Sequence, residues 1–268
     1  MRSDMDRPVP GTREEHNASR YPNSFLRDVR LVFVRELQPM LSDPVSIVFG
    51  LLQPLVFVGL FTPLLVGFSG GALDLGWFVP GVLVMVSLFA TASTGSNLQF
   101  DMHSGVHERI LVTPLRRAPL LIGRAVKEMV PLTVQACVLI AITVPFGFRP
   151  DPLGGIIGLL ILAVFGVGFG ALSYALALAV KNQDWMFWTI QQAVLFPLMI
   201  LSGMLLPLEQ GPGWMRVVAA FNPLSHIVSA ERALFAGVFD ADLVRGAVAA
   251  VAVAVVGLFV GTRAMHKE

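Results

Sequence analysis

Charge is what this sequence has least of. Only 14% of its 268 residues are Asp, Glu, Lys or Arg, and 55% are hydrophobic. An ordinary soluble domain carries about 25% charged residues, so a soluble protein is excluded and a multi-pass membrane protein is expected. Cysteine is reduced to one residue, Cys137, inside an apolar run. That excludes an intrachain disulfide and metal centres built on cysteine pairs. Cys137 is expected to be a small packing residue. The first 45 residues are charged throughout, so no cleaved leader is expected. No G-x-x-x-x-G-K-[ST] loop occurs, so the chain cannot cradle a nucleotide by itself. The five histidines are scattered, and no Ser-His-Asp or two-metal arrangement stands out. His103 and His107 are four apart, but no third ligand clusters with them. No metal site is expected, and no nucleic-acid partner.

What is present is a series of apolar runs. Residues 1–22 are polar and proline-bearing, and are expected to be a disordered cytoplasmic tail. Residues 23–268 then form one all-α transmembrane domain. Ser24 to Gln38 predicts an amphipathic helix with Arg27, Arg30 and Arg35 mostly off its apolar face, lying on the cytoplasmic leaflet. Six spans follow at about 46–67, 77–97, 126–148, 154–180, 185–206 and 243–262. Gln53-Pro54 lies within the first and Gln135 within the third. In the fourth, Gly154 and Gly158, and Gly166 and Gly170, have the spacing of close helix pairs. With both ends inside, fifteen of the 19 Lys and Arg fall on the cytoplasmic side. That agrees with the positive-inside rule.

Several polar groups stand out against this background. The second span ends in small polar residues, among them Thr91, Thr94 and Asn97. They serve helix packing or line a substrate path. Gln191 and Gln192 place amides in the fifth span, for interhelical bonds or an amphipathic ligand. Between the fifth and sixth spans the chain breaks at Gly211, Pro212 and Gly213. Two short helices are predicted there, turning at Asn222-Pro223. Trp214, Val217, Val218 and Phe221 share a face of the first; Leu224, Ile227, Val228, Leu234 and Phe235 share a face of the second. Both are too short to span, so they form a broken hairpin near the outer interface. Glu231 falls within the second apolar face, where an acid must be paired, protonated or functional. On the cytoplasmic side, Leu98 to Glu128 is the main loop, where Ser104 can cap a short helix from Gly105 to Val112.

Two stretches carry a resemblance. Leu201 to Pro207 (L-S-G-x-x-x-P), Trp214, Asn222 to His226 (N-P-L-S-H) and Glu231-Arg232 resemble the signature of ABC-2 type transporter permeases, in their daunorubicin-resistance-like branch. Gly105 to Arg116 (G-V-H-E-R-I-L-V-T-P-L-R) resembles that family's coupling helix, with His107 departing from an expected apolar residue. The resemblance implies a non-enzymatic permease subunit of an ATP-driven bacterial exporter of drugs, antibiotics or lipids. It implies two copies, or a copy and a related permease, with a separate ATPase chain that holds ATP and magnesium. Gly105, Val106, His107, Glu108, Arg109, Thr113, Pro114 and Arg116 would then meet the ATPase. Gly203, Pro207, Trp214, Asn222, Pro223, Glu231 and Arg232 would form the extracellular gate, Glu231 pairing with Arg232 of the second copy. Export of a lipid-linked glycan stands as an alternative, and a membrane enzyme or scaffold without transport as another.

Overall fold

The structure is a computed structural model that describes residues 29–30, 32–34, 44–69, 74–106, 122–124, 126–181, 183–208 and 211–266. The predicted tail and most of the interfacial helix lie outside these residues; 29–30 and 32–34 are helical. The loop residues His107 to Arg116 lie outside them too.

Eight helices follow in chain order among the described residues: α1 (Pro44–Ser69), α2 (Leu75–His103), α3 (Met129–Thr143), α4 (Pro152–Ala179), α5 (Asp184–Ile200), α6 (Gly213–Phe221), α7 (Pro223–Phe235) and α8 (Ala241–His266). Local chemistry sets their ends. The Asp74 carboxylate accepts the Trp77 N–H at 3.1 Å and starts α2. Asp151 accepts the Gly154 N–H at 2.6 Å, and Pro152 follows it at the first position of α4. Gly147, at φ +103°, closes the 3-10 turn Val144–Phe146 after α3. Four stretches are long and apolar enough to cross a membrane: Leu75–His103, Ile122–Phe146, Pro152–Ala179 and Ala241–Met265. In α1 the apolar stretch of this kind is the shorter Leu52–Leu64, and α5 has 17 residues. No strand occurs among the described residues.

At the centre stands α2, whose run from Phe78 to Leu88 is buried throughout. It packs against α4 and α7 on one side, and against α3, α1 and α5 on the other. In a bilayer, burying apolar surface from water drives little helix association, so close backbone approach and hydrogen bonds decide it. The glycines of α4 supply that approach in three directions. A Cβ on Gly154 or Gly158 would collide with α7, at the Leu234 carbonyl and the Glu231 carboxyl. Gly166 and Gly170 admit Thr91 and Thr94 of α2. Gly168 meets Val253 and Ala254 of α8, and Gly257 of α8 meets the Gly168 backbone in return. The two small-residue pairs picked out by spacing therefore serve different neighbours. Outward, α1 presents Leu52, Val56, Leu60 and Leu64, and α8 presents Val244, Val248, Val251 and Val255. Such exposed apolar ridges suit lipid.

The structure moves several expected boundaries. The second span continues to His103, because Leu98 and Gln99 remain buried, and Gln99 donates to the Ala177 carbonyl of α4 at 3.3 Å. Ser104 closes the second span. Its N–H donates to the Phe100 carbonyl at 3.0 Å, and its hydroxyl donates back to Asp101, so it closes α2. Gly105 then turns at φ +69°. The fifth span stops at Ile200, six residues short of the expected end, where Leu201–Gly203 turns and Gly203 adopts φ +73°. Cys137 is exposed on the outer face of α3, not packed inside the chain.

Candidate functional site

The hairpin of α6 and α7 sits where α2, α4 and α8 begin, and polar groups clamp it there. Asn222 ends one helix and starts the other. Its backbone is extended, its Oδ1 accepts the Leu224 N–H at 3.0 Å, and its Nδ2 donates to the Leu198 carbonyl of α5 at 2.8 Å. Pro223 takes the first position of α7, where no N–H is needed. The Ser225 hydroxyl lies 2.5 Å from the Ala219 carbonyl and 2.8 Å from that of Asn222. At the far end, Gly237 (φ +72°) and Val238 donate to the carbonyls of Leu234 and Ala233, closing α7 in a Schellman-like turn. The Asp151 N–H donates to the Phe235 carbonyl at 3.0 Å, tying α7 to the start of α4.

Arg232 is the principal clamp. Its guanidinium lies 3.7 Å over the Trp77 ring. It donates to the carbonyls of Trp77 at 3.0 Å, Gly203 at 2.9 Å and Met204 at 3.4 Å. One side chain thus joins α7, the start of α2 and the turn after α5. Only a planar fork with several donors can do this. These bonds are all within one chain. Within its own chain Arg232 turns to these carbonyls and away from its neighbour Glu231.

Glu231 points the other way. It is fully buried against Gly158, and neither carboxyl oxygen has a hydrogen-bond partner among the described residues. No cation among the described residues pairs with it, and burial raises its pKa above the ordinary carboxylate range. α7 is therefore wedged between α2 and α4, with Arg232 bonded on one side and Glu231 packed on the other.

The remaining gate candidates divide. Gly203, Asn222 and Pro223 belong to the clamp. Pro207 is half-buried in the turn before α6. Trp214 stands apart on an exposed face with Val217, Val218 and Phe221. The apolar face expected on the first short helix is present, and it points outward. The face expected on the second is buried in full, from Leu224 to Phe235.

The substrate-path candidates mostly pack. Thr91 bonds back to the Ser87 and Leu88 carbonyls of its own helix. Gln191 donates to the Ala92 carbonyl at 3.3 Å, joining α5 to α2. Gln192 is half-buried, with its carbonyl oxygen unpartnered among the described residues. Thr94 and Asn97 line a small polar cleft with Asp101, Arg124, Lys127 and Glu128. Arg124, 3% exposed, bonds Asp101 at 2.5 Å and lies 5.8 Å from the Tyr174 ring. Sequence reasoning placed Arg124 with the basic loop residues and missed this buried ion pair. The signal was Asp101, an acid less than two turns past the polar end of the second span. Of the coupling candidates, Gly105 and Val106 are described; Gly105 lies in a turn and Val106 is helical.

A helical bundle with four stretches of spanning length and a polar-clamped hairpin defines an integral membrane protein. Residues 27–236 match the ABC-2 type transporter family, and the chain belongs to it. The daunorubicin resistance ABC transporter permease protein DrrB1 of Streptomyces coeruleorubidus is 32% identical over 75% of this chain and 73% of its own length. The probable multidrug ABC transporter permease YbhR of Escherichia coli (strain K12) is 26% identical over 64% of this chain and 47% of its own length. Nodulation protein J of Rhizobium leguminosarum bv. trifolii is 23% identical over 74% and 72%. The family and these drug-resistance relatives are transport permease subunits, not enzymes, and ABC-2 permeases work with ABC ATPase partners.

Proposed function

We propose that this chain is the membrane subunit of an ATP-driven exporter that moves hydrophobic or amphipathic drugs or lipids out of a bacterial cell. It has six spans, with both termini in the cytoplasm. It pairs with a second permease copy in the inner membrane and couples to a separate ATPase chain that holds ATP and magnesium. The observation that carries this reading is the 32% identity to a daunorubicin resistance permease across most of both chains. Charge supports the orientation. Most Lys and Arg lie on the side of the loop between α2 and α3, and the hairpin lies at the opposite end. The clamped hairpin is then the outer gate, and the loop from Gly105 to Arg116 meets the ATPase.

The test is co-purification of the tagged chain with the ATPase encoded beside it, for wild type, Glu108→Ala and Arg109→Ala. The expected result is ATPase bound by wild type and depleted several-fold by either loop change. Cells expressing both chains should also accumulate less daunorubicin than cells expressing the permease alone. No ATPase bound, in a detergent that preserves a permease dimer, would overturn the exporter reading.

A further inference from the structure

We propose that a cavity at mid-membrane depth between α1, α2 and α3 binds a neutral amphipathic molecule carrying a carbonyl group on a flat apolar body. The cavity measures about 200 Å³ and is lined by Gln53, Pro54, Met85, Phe89, Ala90 and Gln135, among others. Gln53 comes from the first half of α1 and Gln135 from the middle of α3, so two amides converge from different helices. Neither makes a hydrogen bond with any described residue. This sets them apart from the other amides in the bundle. Gln99 bonds the Ala177 carbonyl and Gln191 bonds the Ala92 carbonyl, each stitching one helix to the next. Interhelical bonding is the ordinary use of a glutamine in a span. Gln53 and Gln135 are not so used, and an amide left unpaired in hydrocarbon is costly. A bound group that accepts from their NH₂ groups removes that cost.

The rest of the wall sets the ligand's character. No charged side chain lines the cavity among the described residues, so a charged ligand would be desolvated without compensation. Met85 and Phe89 offer a polarisable sulfur and a ring face to a flat apolar body. The volume lies below the roughly 300–1,000 Å³ of drug-sized sites. It therefore holds one or two rings, or one end of a longer molecule. Gln53 is exposed, so the mouth opens on the outside of the bundle and a ligand enters sideways from the bilayer. The site extends the exporter reading by giving cargo a docking point within one chain, away from Thr91 and Gln192. The ligand's role rests on that reading; its binding does not.

Benzophenone is a suitable probe. It is neutral, each of its two rings is a flat apolar body joined to the carbonyl, and that carbonyl is both the acceptor and the photoreactive centre. The purified permease would be irradiated with benzophenone in detergent and again in phosphatidylcholine nanodiscs, and the adducts mapped by mass spectrometry. The expected result is concentrated labelling of the Met85–Phe89 segment in both settings. Gln53→Leu and Gln135→Leu should each reduce it about five-fold, the weight of one hydrogen bond. Ala90→Leu keeps both amides and fills the space, and should abolish labelling there while leaving adducts on the α8 ridge unchanged. Three results would overturn the proposal. One is labelling spread evenly over the lipid-facing ridges. Another is labelling lost in nanodiscs, which would make a phospholipid ester the occupant. The third is a Gln53→Cys variant forming disulfides between copies, which would make the second chain the cover. None of these results bears on ATPase co-purification, so the exporter reading stands or falls separately.

Discussion

Replacing Arg232 with alanine removes one side chain that holds three segments together. The lost interactions are two short hydrogen bonds to the Trp77 and Gly203 carbonyls, a longer one to Met204, and the stack on Trp77. Each hydrogen bond from a charged donor contributes about 1.5–3 kcal/mol, and a desolvated cation–π contact about 2 kcal/mol. These terms share one side chain and are not additive, and the longest bond is weak. A loss of about 3–5 kcal/mol is the reasonable sum. Lysine keeps the charge but offers one compact ammonium in place of a fork, so it should retain about half of the stabilisation. The measurement is equilibrium unfolding of the purified permease in mixed micelles titrated with a denaturing detergent. Wild type, Arg232→Lys and Arg232→Ala are compared. Alanine and lysine variants that unfold within about 0.5 kcal/mol of wild type would refute the clamp. An alanine variant matched in its loss by the lysine variant would keep the clamp and assign it to the fork geometry.

The other predictions concern the opposite face of α7, the hairpin turn and the buried ion pair. Gly158→Ala pushes a methyl into the Glu231 carboxyl and should cost about 1–3 kcal/mol. In a Glu231→Ala background the methyl has room, so a double-mutant cycle should give a coupling above 1 kcal/mol; simple additivity would mean that the contact is absent. Asn222→Ala loses a helix cap and the bond to the Leu198 carbonyl, and should destabilise by about 1–2 kcal/mol, with Asp recovering the cap alone. Arg124→Ala leaves Asp101 without its cation and should cost about 2–3 kcal/mol, below the fully buried case because Asp101 is 22% exposed. Asp101→Asn with Arg124→Gln should regain part of that loss in the same unfolding assay.

Much of the bundle was legible because membrane helices write their signal in long apolar runs. The hairpin was legible because Gly211, Pro212, Gly213 and Asn222-Pro223 break those runs at short intervals. The buried face of α7 was legible too, since its period fits one side of a helix. What escaped was direction and partnership. The apolar face of α6 has the same spacing as that of α7, yet Trp214 and Phe221 point outward while Leu224 and Phe235 are buried. In a membrane an apolar residue is at home on either side, so periodicity finds a face without saying what it meets. Polar groups have fewer solutions, but their partners are distant in sequence. Arg232 meets Trp77, and Gln99 meets Ala177, through a fold that pattern reading does not compute. Span ends moved for a related reason. Leu98 and Gln99 continue α2 because α4 is there to cover them, and Ser104 stops it by bonding back to its own last turn.

The adjacency of Glu231 and Arg232 gains its meaning from this geometry. Neighbouring helical residues lie about 100° apart around the axis, so they address two different helices. Arg232 holds α7 to α2 by hydrogen bonds that are directional and break at once when the distance grows. Glu231 holds it to α4 by contact against Gly158, where the carboxyl fills the place of an absent side chain. Sliding α2 along α4 must therefore either carry α7 with one helix or release it from the other. The hydrogen bonds to Arg232 have defined lengths and acceptors. The Glu231 contact has no hydrogen-bond partner to hold it in register. Apart from the Asp151–Phe235 backbone bond at its end, the seam between α7 and α4 is held by contact, so it is the weaker one, and a hairpin that moves should part there first, staying with α2. Cross-linking Gly155→Cys to Phe235→Cys with a short bifunctional thiol reagent, in a Cys137→Ser background, tests this directly, since a Cβ on Gly155 is in ordinary contact with the Phe235 ring. Under the proposed exporter function, locking that seam should stop drug export while ATPase binding continues, and a cross-linked pair that still exports would place the moving joint elsewhere.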